Sequence, residues 1–150
     1  MDIGGEYVVS AVLRQLKTSV PSVSKLYRED QEQNIVRPCF FVKEMPLGQE
    51  KLMNNRYERN YRIRITYLPS KTGKDEVECR DIGETLLGAF RILSLEENHS
   101  VFGQNLEFEV TSGELHFTAE FPMHVVWSEA EQTKMKNLDS AVEFKEYERS

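Results

Sequence analysis

The stretch Leu106–Trp127, LEFEVTSGELHFTAEFPMHVVW, decides the fold. Leu106, Phe108 and Val110 alternate with Glu107 and Glu109 before Ser112-Gly113 turns the chain. Leu115, Phe117, Ala119, Phe121, Met123, Val125 and Trp127 then alternate without a break. A period of two on both sides of a short Gly-containing turn predicts a long β-hairpin near residues 105–127. Its second arm would span about 43 Å at roughly 3.3 Å per residue, more than the usual width of a small domain. Pro122 has no N–H to give a ladder, so an edge position, a bulge or a bend is expected there.

Upstream, Tyr57–Tyr67 alternates as strictly, with Tyr57, Tyr61, Ile63, Ile65 and Tyr67 opposite Glu58, Asn60, Arg62, Arg64 and Thr66. Pro38–Val42 is a compact apolar run and reads as a strand buried on both faces, with Pro38 in the permitted first place. Val23–Tyr27 reads as a short strand and Arg28–Asn34 as a solvated loop. Pro46–Asn55 shows neither period and reads as a loop carrying Leu47, Leu52 and Met53. Two helices are predicted. Val9, Val12, Leu13, Leu16 and Val20 place the first over Glu6–Ser19, closed by Pro21. Thr72 and Asp75 resemble a capping box for the second, over Asp75–Leu95, with Ile82, Leu86, Ala89, Phe90 and Leu93 as its buried stripe.

Forty of the 150 residues are Leu, Ile, Val or Phe, enough for a packed core. The formal net charge of −6 argues against general nucleic-acid binding, which rests on an excess of Lys and Arg. Cys39 and Cys79 make no disulfide framework, and neither a signal peptide nor a membrane span is visible. A soluble, intracellular domain is expected over residues 1–127. Residues 128–150 read as a charged extension with a possible short strand at 138–145.

Reactive motifs are missing. There is no Cys-x-x-Cys, His-x-His or His-Glu-x-x-His spacing, no phosphate-binding Gly loop and no Gly-x-Ser-x-Gly. His116 and His124 stand about 26 Å apart on a straight strand and cannot share a metal. No catalytic set, metal or cofactor is therefore expected. Glu107, Glu109, Glu114 and Glu120 read as the wet face of the hairpin. Arg56, Arg59, Arg62 and Arg64, broken by Glu58, form a basic strand that could meet an acidic partner, a phosphate backbone or the protein's own glutamates.

The order of these features resembles a known family. It runs from the N-terminal helix through Leu26-Tyr27, Pro38–Val42, Asn54-Asn55-Arg56-Tyr57 and Tyr61–Tyr67. A Glu-rich helix with Ile82, Leu86 and Phe90 follows, then Gly113–Phe117 leading into Met123. Over roughly residues 3–127 the chain is similar to the tail terminator proteins of tailed bacteriophages and prophages of Gram-positive hosts. The resemblance implies an α+β fold, with a mixed or mostly antiparallel sheet of about four to six strands and helices on one face. It implies a structural protein rather than an enzyme. Such proteins form a ring, commonly a hexamer, on the end of the tail tube, stop tube growth and present a docking surface to the head connector.

The implied partners are further copies of the chain, the tube protein and the connector, with DNA only passing through the lumen and no membrane. The implied location is the host cytoplasm during assembly and then the tail of the particle. A ring needs two complementary patches on each subunit. The candidates are Leu47, Leu52 and Met53, the row Arg56, Arg59, Arg62 and Arg64, and the hairpin tip Thr111, Ser112, Gly113 and Glu114. A head–tail stopper or tail-completion protein is the nearest alternative. A small-molecule-binding domain with Tyr57, Tyr61 and Tyr67 lining a pocket is a more distant one.

Overall fold

The computed structural model describes residues 5–28, 34–70, 76–96 and 98–126. Trp127, the strand expected at 138–145, the Thr72–Asp75 capping box and most of the 28–34 loop lie outside the described residues. The elements in order are α1 (Gly5–Ser19), β1 (Lys25–Arg28), β2 (Cys39–Glu44), β3 (Gly48–Met53), β4 (Arg56–Leu68) and α2 (Glu76–Ala89). Then come β5 (Ile92–Ser94), β6 (Ser100–Phe102), β7 (Gln104–Thr111) and β8 (Glu114–Val126). The fold is α+β, with an open and mostly antiparallel sheet. Strand order in the main sheet is β1-β2-β4-β8-β7, with β3 pairing β4 off this path, and β5 and β6 form a separate ribbon.

The described chain divides into two compact units. The larger comprises the chain to Leu47 together with Asn60–Pro122. In it β1 and β2 run parallel, while β2 pairs antiparallel with β4 so that Phe40 meets Tyr67 and Val42 meets Ile65. These side chains, with Ile63, Leu115, Phe117 and Phe121, line the face on which α1 buries Val8, Val12 and Leu16. Phe90 lies at its centre, with ring centroids 6.0 Å from Phe117 and 6.4 Å from Phe121. Each such burial contributes about 1.5–3 kcal/mol. The opposite face is polar apart from a small cluster of Cys39, Phe41 and Leu68, against which Tyr27 and Ile35 pack.

The β7–β8 hairpin is as expected. Thr111 faces Glu114, and the turn residues Ser112 and Gly113 both have positive φ, 54° and 76°. Two such residues match the right-handed twist of the arms. Pro122 lies past the end of this ladder, which reaches Gln104 opposite Glu120. The bulge is on the partner strand, where the register shifts between Gln104 and Glu107 around Asn105 at φ 51°.

Three expectations change. The second helix stops at Ala89 rather than Leu95. The Phe90 amide still bonds the Leu86 carbonyl at 2.9 Å, but Leu93 is buried from β5, not from a helix. Apolar residues at helical spacing concealed the ribbon, since Phe90 and Leu93 fit either geometry. The first strand is Lys25–Arg28, not Val23–Tyr27. Val23 is buried just before it, its N–H bonding the Val20 carbonyl at 3.1 Å in the turn after α1. Finally, the segment read as a loop contains β3.

The smaller unit comprises Gly48–Arg59 and, among the described residues, the end of β8 from Met123 to Val126. Here β3 folds back on β4 through Asn54-Asn55, with Asn54 at φ 51°. Only Lys51 of β3 is half-buried and the other five residues are exposed. A strand wet on both faces has no apolar alternation to reveal it, so only its asparagine turn was legible.

Candidate assembly interface

In the smaller unit the β3–β4 hairpin carries Leu52 and Met53 at 48% and 60% exposure. Arg59 donates from Nε to Gln49 Oε1 at 2.6 Å, cross-linking the two strands, and Arg56 is exposed. His124 Nε2 lies 3.7 Å from Glu58 Oε2. Val126 is also exposed, a residue that the sequence pattern did not single out. Contiguous exposed apolar surface is what marks interaction sites on soluble proteins.

In the larger unit the open face of the sheet gathers Arg62 and Arg64 of β4, His116, Thr118 and Glu120 of β8, and Glu107 and Glu109 of β7. Arg64 Nη2 is 3.2 Å from His116 Nδ1, and the other ring nitrogen lies 3.6 Å from Glu114 Oε1. The geometry thus joins Arg64 to Glu114 of the hairpin tip through His116. Asn60 and Asn105 donate to the same Glu120 oxygen at 3.0 and 2.9 Å. Those two bonds, with the positive charge of Arg62, hold the Glu120 carboxyl below its ordinary pKa against a smaller opposing effect of burial. Part of the basic strand is therefore answered by the protein's own β8. A shallow trough of about 260 Å³ runs between these rows, lined by Met45, Arg64, Glu107, Glu109, His116 and Thr118.

At the hairpin tip, Thr111 Oγ1 donates to Glu109 at 3.1 Å, and the Cys79 thiol of α2 points to the Gly113 carbonyl at 3.8 Å. Helix α2 thereby fixes the turn from behind. The tip residues Thr111 and Ser112 are exposed, and Leu47, in the larger unit, is 45% exposed. Sequence reading missed a further apolar pair. Ile92 and Phe102 face each other across the β5–β6 ribbon at 41% and 72% exposure. Gly103 after it has no room for a side chain, since a β-carbon there would lie 2.4 Å from the Phe90 carbonyl.

Both cysteines are free and buried. Burial pushes the Cys39 thiol pKa up, Arg37 only partly offsetting it. Among the described residues no three His, Cys, Asp or Glu side chains are grouped to hold a metal, and no helix is long and apolar enough to cross a membrane.

The described residues thus present exposed strands, turn tips and paired surface charges. A family model described as phage tail terminator protein matches residues 8–134. The chain belongs to that family, whose members are structural proteins of phage tails. No curated protein matches the chain. Among the solved structures that match, one aligns at 9% identity with a TM-score of 0.45, over 83% of this chain and 96% of its own.

Proposed function

We propose that the protein caps the tail tube as a ring, most simply a hexamer, ends tube polymerisation and offers its far side to the head connector. Residues 1–127 act as the terminator domain and 128–150 as an appended segment. Assembly takes place in the host cytoplasm, with DNA only passing through the lumen, and the work is structural rather than enzymatic. Membership of the tail terminator family is the observation that carries this reading. The exposed Leu52 and Met53 support it, because a solvated β-hairpin has no internal use for two large apolar side chains. In this proposal Arg56 and Arg59 of the smaller unit, and separately Leu47, Arg62, Arg64 and the tip Thr111–Glu114 of the larger one, supply further contacts.

Gold-labelled protein added to isolated tail tubes tests it. Label confined to one tube end, seen by electron microscopy, is the expected result. Label on portal complexes instead would make the protein a stopper.

A further inference from the structure

The main sheet stops at β1 on one side and at β7 on the other, and among the described residues no strand lies beyond either. Free edges of this kind are templates for pairing with another chain. The two edges differ in a complementary way. On β7, Glu107 and Glu109 are exposed on the open face, while Leu106, Phe108 and Val110 behind them are only half-buried. On β1, Lys25 is exposed, and Leu26 and Tyr27 are half-buried.

Lys25 also stands on the open face. It is in register with Cys39, and Tyr27 with Phe41, which is in turn beside Thr66. Thr66 Oγ1 lies 3.4 Å from His116 Nδ1, and His116 is in register with Glu109. One edge is thus basic and the other acidic on the same side of the sheet. Pairing like edges would set Glu against Glu or Lys against Lys, which is destabilising, whereas unlike edges oppose charges. Their lengths agree as well. The bulge at Asn105 leaves Glu107–Thr111 as the regular part of β7, against the four residues of β1.

We propose that β1 of one copy adds to β7 of the next, continuing the sheet head to tail from subunit to subunit with Lys25 among Glu107 and Glu109 of its neighbour. A contact between two different patches generates a ring when its rotation closes. The inference rests on the ring reading above and names the contact that builds the ring.

Mixing Lys25→Cys protein with Glu109→Cys protein and oxidising mildly tests it, both in a Cys39→Ala background because the free Cys39 stands beside position 25, with Glu84→Cys on the exposed side of α2 replacing Glu109→Cys as control. Three strands separate β1 from β7, so in one copy the two sites lie about 19 Å apart, beyond reach of a disulfide. Any bond between them in a Lys25→Cys/Glu109→Cys double variant must therefore join two copies. The expected result is at least about five times more covalent dimer than in the control, and covalent ladders from the double variant. Charge reversal gives a second reading: Lys25→Glu weakens assembly tenfold or more, and adding Glu107→Lys with Glu109→Lys restores it. Rings that form without excess cross-linking would overturn the edge contact while leaving the ring intact. A protein that stays monomeric even on isolated tail tubes would overturn both.

Discussion

Arg64 of β4 and His116 of β8 meet with Nη2 3.2 Å from Nδ1. A guanidinium can only donate, so the imidazole nitrogen it meets must accept. In the neutral ring the proton then sits on Nε2, which faces Glu114 at 3.6 Å. The pair thus orders Arg64, His116 and the hairpin-tip carboxylate in one line. Imidazole nitrogen shifts measured by NMR on the neutral ring should show the Nε2–H tautomer. In Arg64→Met the tautomers should mix.

Helix α1 is tied to the end of α2 by one side chain. Gln15 Nε2 donates to the Ala89 and Ile92 carbonyls, both at 2.7 Å, and its Oε1 accepts from the Ser94 amide at 2.9 Å. It satisfies a carbonyl left open where the helix stops. Gln15→Leu should destabilise the protein by about 1–3 kcal/mol, measured by urea unfolding, because backbone groups lose their partners.

Gly83 allows α2 to lie on β7. A β-carbon there would stand 2.8 Å from the Phe108 ring. Alanine gains about 1 kcal/mol in helix propensity, but forcing the ring aside costs about 1–3 kcal/mol. Gly83→Ala should therefore lower stability, and Phe108→Leu should recover part of the loss in a double-mutant cycle.

The Glu120 carboxyl titrates below the ordinary value of 4.5 because Asn60 and Asn105 bond its charged form. Its contribution to stability is full above that ordinary value and disappears as the pH falls through the lower folded value. Glu120→Gln should lose stability at neutral pH and show a shallower acid decline below about pH 4.5, followed by thermal unfolding across the acid range.

Strands β4 and β8 of the main sheet are legible in the sequence because one face of each is buried. In β4 and β8 the inward series Tyr61, Ile63, Ile65, Tyr67 and Leu115, Phe117, Ala119, Phe121 leaves a pattern that periodicity detects. Where burial does not alternate, nothing is written. Exposed β3 looked like a loop, and the three-residue β5 was absorbed into the helix because Leu93 follows Phe90 at a spacing that suits α2. The arginines and the hairpin tip are visible in the sequence as polar residues on a strand and a turn. That His116 would join Arg64 to Glu114 is not, because it depends on β4 and β8 being neighbours. The Ile92–Phe102 pair escaped notice for the same reason.

In the proposed reading the protein caps the tail tube, and the exposed Leu52 and Met53 of the β3–β4 hairpin belong to the surface that makes contact. Tube length against time, followed by electron microscopy in a polymerising preparation of tube protein, tests it most directly. Addition of the protein at about one ring per tube end should halt growth, and Leu52→Asp/Met53→Asp, with an unchanged circular dichroism spectrum as the check on folding, should halt it at least tenfold less effectively. Tubes that keep lengthening at the same rate with the wild-type protein present, or a double variant that halts growth as well as the wild type, would contradict the account.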